Sequence, residues 1–197
     1  MIYCLKISLL YIYISIMIIS NDYISLYTPN KQSQQILYIL KKYVNNSDVI
    51  VDANAGMGGN SIYFCKYFKY VYCIDLDRTT IPYLYHNLKE YDNKFIINEN
   101  CLDILKIIRY DVIFFDPPWG GSNYKYKNNI NLYLDNINII DIINNLYYYK
   151  NLKFICLKAP FNFNQTFKTI WNYKTYNIYK SDNITILFKF IIYKRKD

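Results

Sequence analysis

The sequence predicts an α/β domain built on a doubly wound, mostly parallel sheet with helices on both of its faces. Two observations predict this fold class. Apolar runs typical of buried strands alternate along the chain with helical patterns, which is the order expected of βαβ units. The length of 197 residues is also typical of one domain, and neither an internal repeat nor a linker interrupts the alternation.

The first helix is predicted to begin near Thr28, a candidate N-cap, with Pro29 at the first helical position and an apolar face from Ile36 to Val44. Further helices are expected after the glycine-rich turn near residue 60 and over 79–91 and 137–146. His86 lies in the second of these and is expected to be a plain helix residue. Strands are predicted from short apolar runs at 49–51, 70–77, 94–98, 110–116, 153–158, 173–179 and 185–193.

Charge and cysteine content narrow the class of partner and of site. The net charge of +8 and the pI near 9.0 favour a polyanionic partner such as nucleic acid. The five cysteines include no C-x-x-C pair, and with one histidine they supply no zinc-ligand set, so no metal is expected. Cys73 and Cys156 lie inside apolar runs and are interpreted as core residues of a protein from a reducing compartment.

The apolar residues 1–26 are predicted to form a helical segment ahead of a domain that spans 27–197. A membrane anchor or secretory signal in residues 1–19 is the alternative. The preferred interpretation is a helix packed on the domain, because the run Ile7 to Ile19 is shorter than the ~20 residues that span a bilayer and no small-residue cleavage site follows. A membrane, in this interpretation, is not a partner.

A glycine-rich turn follows the first strand in the stretch VDANAGMGGNS. Asp52 ends the strand, and Gly56, Gly58 and Gly59 form a turn into a helix, which allows a ligand to approach the backbone closely. The stretch is neither a P-loop nor a strict G-x-G-x-x-G. Asp75 lies at the end of the next strand, and an acid about twenty residues after such a turn is typical of a ribose-binding carboxylate. Asp77 is interpreted as a charge at a helix start.

A second unusual stretch, YDVIFFDPPWGGSNY, places two prolines directly after a buried strand. The prolines remove two backbone donors and end the strand at Asp116. Ligands of open α/β sheets bind at the carboxyl ends of strands, so this rigid turn is a candidate binding site.

VDANAGMGGNS, CIDLD and DPPWGGSNY, in that order and with YTP at 27–29 before them, resemble the RNA cap guanine-N2 methyltransferase family, the trimethylguanosine synthases. The resemblance implies a Rossmann-like class I methyltransferase fold and S-adenosylmethionine as cofactor, without a metal. It implies conversion of the 7-methylguanosine cap of small nuclear and nucleolar RNAs to 2,2,7-trimethylguanosine. The implied partners are capped RNA and small nuclear ribonucleoprotein proteins. The implied location is the nucleus, with the cytoplasm as a second location, and the protein is expected to be a monomer.

The resemblance also implies site residues. Asp52 and the turn Gly56–Gly59 would face the methionine end of the cofactor, with Asn60 supporting the turn. Asp75 would bind the ribose hydroxyls. Asn100 falls where the family accepts the adenine amine, and Asp103 is the alternative acceptor there.

The chemistry of an exocyclic amine explains the turn independently. Such an amine attacks a methyl group only if acceptors hold its hydrogens, and Asp116 Oδ with the Pro117 carbonyl can be those acceptors. Trp119 can stack on a cationic 7-methylguanine, with Gly120 leaving space and Tyr124 nearby as a further contact to the substrate. Lys125 and Lys127 either contact the cap phosphates or are simply exposed to solvent on a loop.

Three functions therefore stay open on the sequence. The first is cap guanine-N2 methylation. The second is another amino methyltransferase, acting on adenine N6 or guanine N2 of RNA or DNA, because the family most often has serine where this chain has Asp116, a residue shared with adenine-N6 enzymes. The third is a membrane-tethered binding module without catalysis.

Overall fold

The computed structural model describes residues 28–166, 168–180 and 184–196. Its main sheet has seven strands in the order β3-β2-β1-β4-β7-β9-β8, and a separate two-stranded hairpin holds β5 and β6. The strands, in chain order, are β1 Val49–Asp52, β2 Tyr70–Ile74, β3 Lys94–Ile97, β4 Val112–Phe115, β5 Tyr133–Leu134, β6 Ile137–Asn138, β7 Phe154–Pro160, β8 Asn172–Tyr179 and β9 Ile186–Lys194.

The first five strands of the sheet order pair in parallel, whereas β9 runs antiparallel to both β7 and β8. The chain builds outward from β1 to β3 and then starts again on the other side of β1 with β4. The sheet is therefore doubly wound and mostly parallel, as the alternation of elements predicted.

The described chain also has five α-helices and two short 3-10 turns. They are α1 Asn30–Leu40, α2 Ser61–Cys65, α3 Ile81–Asn87, α4 Cys101–Ile104 and α5 Ile139–Asn145, with 3-10 turns at Ser122–Tyr126 and Leu146–Tyr148. Buried residues of α1, α2 and α3 pack on one face of the sheet with Ile50, Phe114 and Phe190. Residues of α4 and α5 pack on the other face. Helices thus cover both faces, and Cys73 and Cys156 are core residues as expected.

Several local predictions need correction. The first helix begins at Asn30, with Pro29 rather than Thr28 at the cap position and no side-chain cap bond, because the Thr28 hydroxyl is engaged in a long-range network. The second strand ends at Ile74, before Asp77. The sequence also missed α4 and the β5–β6 hairpin, whose turn holds Asp135 and Asn136 at positive φ, as two-residue hairpin turns require.

The predictions for residues 1–26 fall outside the residues that the structure describes. Within the described ranges, no helix has both the length and the apolar character that crossing a membrane requires.

Candidate active site

Three carboxylates lie at the carboxyl ends of three adjacent strands. Asp52 ends β1, Asp75 follows β2, and Asp116 follows β4. These strands are neighbours in the order β2-β1-β4, and the winding direction reverses between β1 and β4. A crevice outside the carboxyl ends at such a reversal is where doubly wound sheets bind ligands.

The glycine-rich turn is held by backbone bonds to both neighbouring strands. Ala53 N donates to the Phe114 carbonyl and Ala55 N to the Ile74 carbonyl, both at 2.9 Å. Gly56 has φ +52° and no atom within 4 Å of an added Cβ, so its surroundings are open. Gly58, at φ +91°, differs: an added Cβ would lie 3.0 Å from Leu84 Cδ1 of α3. The close approach at Gly58 is therefore to the protein's own helix, whereas Gly56 has open space beside it.

Asp52 is fully buried and only half satisfied. Its Oδ2 accepts a bond of 2.6 Å from the Ser61 hydroxyl, but Oδ1 has no hydrogen-bond partner, and neither has the buried Oδ1 of Asn54. Burial raises the pKa of Asp52 to about 7, the Ser61 bond opposes the shift, and the charges of Asp116 and Asp75 add to it. Two buried acceptors without donors fit a ligand that carries N–H groups, such as an ammonium.

Asp75 supports the turn directly. Its Oδ2 accepts from Gly56 N at 2.6 Å and its Oδ1 from Asp77 N at 2.8 Å. Burial raises the pKa of Asp75, and these two backbone bonds oppose the shift. Asp77 is exposed and accepts from Thr79 N at 2.9 Å in the turn before α3, so it serves the helix start as the sequence indicated.

Asn60 joins the turn to the segment before α1. Its Nδ2 donates to Thr28 Oγ1 at 3.2 Å, and its Oδ1 accepts from the Ser33 hydroxyl at 3.1 Å. Asn60 is buried, as is Gly59 before it. Through these contacts Asn60 holds the glycine-rich turn against the segment before α1.

The turn after β4 places the half-buried indole of Trp119 directly before two glycines. Pro117 is buried, and Gly120 and Gly121 have φ of +87° and +77° with nothing within 4 Å of an added Cβ. The Trp119 ring lies edge-on to Tyr124, with centroids 5.2 Å apart, and its Nε1 is buried without a partner. The structure therefore brings the predicted Trp119, Gly120 and Tyr124 together. Lys125 and Lys127 are exposed on and after the 3-10 turn.

Sequence reasoning missed Lys158, which has 7% of its surface exposed. Its Nζ lies 2.7 Å from Asp116 Oδ2 and 2.7 Å from Thr28 Oγ1. Thr28 in turn contacts Asp116 Oδ2 at 3.4 Å and Asn60. The Lys158–Asp116 pair can be inferred only from strand register. Phe114 pairs with Cys156, so two residues further along each strand Asp116 lies beside Lys158.

Asn100, the predicted acceptor of the adenine amine, makes two side-chain hydrogen bonds within the protein. Its Oδ1 accepts from Leu102 N at 2.9 Å and caps α4, while its Nδ2 donates to Asp135 at 3.2 Å. Asp103, the alternative acceptor, is exposed and pairs with Lys106. In the part of the chain that the structure describes, no three His, Cys, Asp or Glu side chains cluster as metal ligands would.

Comparison with known proteins identifies the family. A family model described as RNA cap guanine-N2 methyltransferase matches residues 47–187. The chain belongs to this family. It is 36% identical over 146 residues to an uncharacterized protein of Acanthamoeba polyphaga mimivirus, covering 71% of this chain and 57% of the relative. It is 33% identical over 117 residues to the trimethylguanosine synthase of Schizosaccharomyces pombe, covering 54% of this chain and 48% of the relative.

Solved structures agree on the fold of this family member. A putative methyltransferase, yhhF, from Escherichia coli matches with a TM-score of 0.59 and 18% identity, covering 84% of this chain and 86% of that one. The chain therefore has the Rossmann-like class I methyltransferase fold. It spans about half the length of the mimivirus and Schizosaccharomyces pombe relatives, 57% and 48%.

The half-satisfied Asp52 generates a pH prediction. The folded pKa of about 7 lies above the ordinary value of 3.8, so the folded state holds the extra proton between these two values. The free energy of unfolding should therefore fall as pH rises from 4 to 7, by up to about 4 kcal/mol from this residue. Denaturant unfolding of wild type and Asp52→Asn across this range measures the contribution, because other groups titrate alike in both. Parallel stability curves would contradict the assignment.

Gly58 generates a stability prediction. Gly58→Ala combines a strained φ with a contact of 3.0 Å to Leu84, so it should lose about 2 to 4 kcal/mol of unfolding free energy. Gly120→Ala is the matched control, since it has nearly the same φ but open space, and should lose only about 1 to 2 kcal/mol. Thermal and denaturant melts of both variants test this. Equal losses would show that the Leu84 contact is not restrictive.

Proposed function

We propose that the protein methylates the exocyclic N2 amine of the 7-methylguanosine cap of small nuclear and nucleolar RNA, giving a 2,2,7-trimethylguanosine cap. One observation carries the proposal: the donor-poor turn after β4 holds Trp119 and Tyr124 together, next to the glycine-rich turn, in a chain of the cap guanine-N2 family. Neither the glycine-rich turn nor the turn after β4 would support this function by itself. Together they supply a place for a methyl donor and a place for an aromatic, cationic base.

The cofactor end of the site would be formed by the first two strand ends. S-adenosylmethionine supplies a methyl group on a cationic sulfur when bound. The unpaired oxygens of Asp52 and Asn54 are suited to the ammonium of its methionine part. Asp75 would accept from the ribose hydroxyls while it holds Gly56 N, and Asn100 would accept from the adenine amine through the remaining lone pair of its Oδ1.

The acceptor end would be formed by Asp116 and Pro117. Both described contacts of the Asp116 carboxylate, from Lys158 and Thr28, fall on Oδ2. Oδ1 is therefore the oxygen that can accept a hydrogen of the substrate amine, with the Pro117 carbonyl as the second acceptor. Holding both hydrogens draws the nitrogen toward a tetrahedral shape and aims its lone pair at the methyl group. No base is needed before transfer, since the methylated nitrogen becomes acidic; Asp116 then accepts its proton.

The base would stack on Trp119. A 7-methylguanine ring carries a positive charge, and stacking on an indole adds a cation–π contribution of about 1 to 2 kcal/mol. Gly120 and Gly121 have open surroundings, which leave room for the base. We propose capped RNA as the partner, with small nuclear ribonucleoprotein proteins as further partners of a monomeric protein in the nucleus and cytoplasm.

A second candidate function rests on Asp116 itself. A carboxylate followed by two prolines suits adenine N6 as well as guanine N2, because both amines present two hydrogens to the same pair of acceptors. The substrate, and not the acceptor chemistry, separates the two functions.

The direct test offers the protein labelled S-adenosylmethionine with three oligonucleotides of one sequence. One carries a 7-methylguanosine cap, one a guanosine cap and one no cap. We expect label on the 7-methylated cap, with N2-methylated guanosine after digestion. Its rate should be about 5- to 30-fold above that of the guanosine cap, the ratio that a cation–π contribution of about 1 to 2 kcal/mol gives. Label in adenine, or equal labelling with and without a cap, would favour the second candidate.

Trp119 allows a test of the stacking role. Affinity for a 7-methylated cap analogue should fall in the order Trp, Phe, Ala, by roughly tenfold or more for Trp119→Ala, because the smaller ring has less area and a weaker quadrupole. The preference for the methylated over the unmethylated analogue should shrink in parallel. Fluorescence titration with both analogues, alongside thermal melts, measures these effects.

The other tryptophan provides the control. Trp171 is buried, and its Nε1 donates to the Ile143 carbonyl at 2.8 Å. Trp171→Phe should therefore lower stability while leaving the cap preference unchanged. A Trp119→Ala variant that melts early but keeps the full preference for the methylated analogue would refute stacking.

A further inference from the structure

Lys158 is a buried ammonium with a specific set of neighbours. Its side chain is 9% exposed and that of Asp116 is 13% exposed, with 2.7 Å between Nζ and Oδ2. The Trp119 and Phe188 rings each lie 5.4 Å from Nζ. Burying an ion pair costs several kcal/mol per charge in desolvation, so such a pair is poor evidence for stability alone. Its location beside the acceptor oxygen indicates another role.

The surrounding pattern shows how unusual this lysine is. Phe154, Cys156 and Lys158 project from β7 onto the same face of the sheet, where Cys156 and the neighbouring Phe114 and Phe188 belong to one apolar cluster. An apolar residue is what this position would carry for packing. This chain has a charged residue here instead, in register with Asp116, at the edge where the site lies.

The contacts of Nζ define what the lysine does. Two of its three N–H groups are used, one by Asp116 Oδ2 and one by Thr28 Oγ1. Thr28 also accepts from Asn60 Nδ2, and Asn60 lies at the end of the glycine-rich turn. The acceptor carboxylate is thus fixed through Lys158 and Thr28 to the same turn that would hold the methyl donor.

We propose that Lys158 is a positioning residue for methyl transfer. It holds Asp116 by Oδ2, which leaves Oδ1 oriented for the amine, and it neutralises the carboxylate so that the acceptor works as part of an uncharged pair. The inference rests on the proposed function, because it concerns the same transfer step. It assigns Lys158 no contact with the substrate.

The proposal predicts that the effect of removing the Lys158 charge depends on whether the Asp116 charge is present. Lys158→Met removes the ammonium and leaves a partly buried carboxylate whose negative charge and that of Asp52 disfavour each other. Asp116→Asn combined with Lys158→Met removes both charges while keeping an amide oxygen as acceptor. A lysine that bound substrate phosphate would show no such dependence, since neutralising Asp116 would not replace its contact.

The experiment compares wild type, Lys158→Met, Asp116→Asn and the double variant by thermal melting, by S-adenosylhomocysteine titration and by steady-state kinetics. For Lys158→Met we expect kcat about 10²-fold lower with KM for the capped oligonucleotide within about threefold. We expect the double variant to melt close to wild type and to recover kcat about tenfold relative to Lys158→Met. The affinity for S-adenosylhomocysteine should differ from that of wild type by less than about threefold in the three variants, because the proposal gives Lys158 a role in holding Asp116 and none in binding the cofactor.

Lys153→Met is the matched control. Lys153 lies just before the same strand and pairs with Asp48 at 2.6 Å and Asp111 at 3.0 Å, at the opposite edge of the sheet. This variant should lower the melting temperature without changing kcat, so it separates loss of an ion pair from loss of positioning.

Three results would overturn the proposal: a raised KM with unchanged kcat in Lys158→Met, additive losses in the double variant, or a double variant that is no better folded than Lys158→Met. If wild type methylates adenine instead of the cap, the proposed function fails, and the same variants are then assayed on that substrate. Charge dependence seen there would still support Lys158 as a positioning residue.

Discussion

The constraint on which the site depends is the convergence of three carboxylates at one edge of a parallel sheet. Parallel neighbours end at the same edge, so acids that are far apart in sequence, Asp52, Asp75 and Asp116, lie together at one edge of the sheet, where doubly wound sheets bind ligands. The burial of Asp52 and, to a smaller extent, the charges of Asp116 and Asp75 raise the pKa of Asp52 to about 7. The fold tolerates this arrangement through Ser61, backbone N–H groups and the ammonium of Lys158, which relieve different carboxylates.

Residual negative potential suits the ligands proposed for this crevice. The methyl donor is cationic at sulfur and at its ammonium, and a 7-methylated guanine is cationic in its ring. The unsatisfied oxygens of Asp52 and Asn54 would gain donors when such a ligand binds. The two ends of the site differ in how their carboxylates are neutralised. Asp52 lacks a counter-charge in direct contact, whereas Asp116 has one in Lys158. The donor end therefore favours a cation, and the acceptor end presents a neutralised oxygen to a neutral amine.

Local sequence predicted the features that depend on local physics. Apolar runs located the buried strands. The two prolines predicted that the fourth strand ends at Asp116, one residue beyond the last residue of β4, because prolines remove backbone donors whatever the rest of the chain does. The prediction of Thr28 as a helix cap was wrong because distant residues decide its role. Its neighbours in sequence favour a cap, but its hydroxyl hydrogen-bonds with Lys158, Asn60 and Asp116. Lys158 could not be predicted, since its partner is 42 residues away and only strand register brings the two together. Four-residue helices such as α4 are too short to produce a periodic pattern.

Trp119 shows why packing and binding are joined in this site. The indole packs against both core clusters, meets Tyr124 edge-on at 5.2 Å and has the Lys158 ammonium 5.4 Å from its ring centroid. These contacts restrict its rotamer before any ligand arrives, so a stacking base would not have to order it. The same lysine that fixes the Asp116 acceptor therefore also borders the aromatic platform. A rigid distance between platform and acceptor is what in-line transfer to an exocyclic amine requires, because the ring plane and the amine belong to one flat molecule.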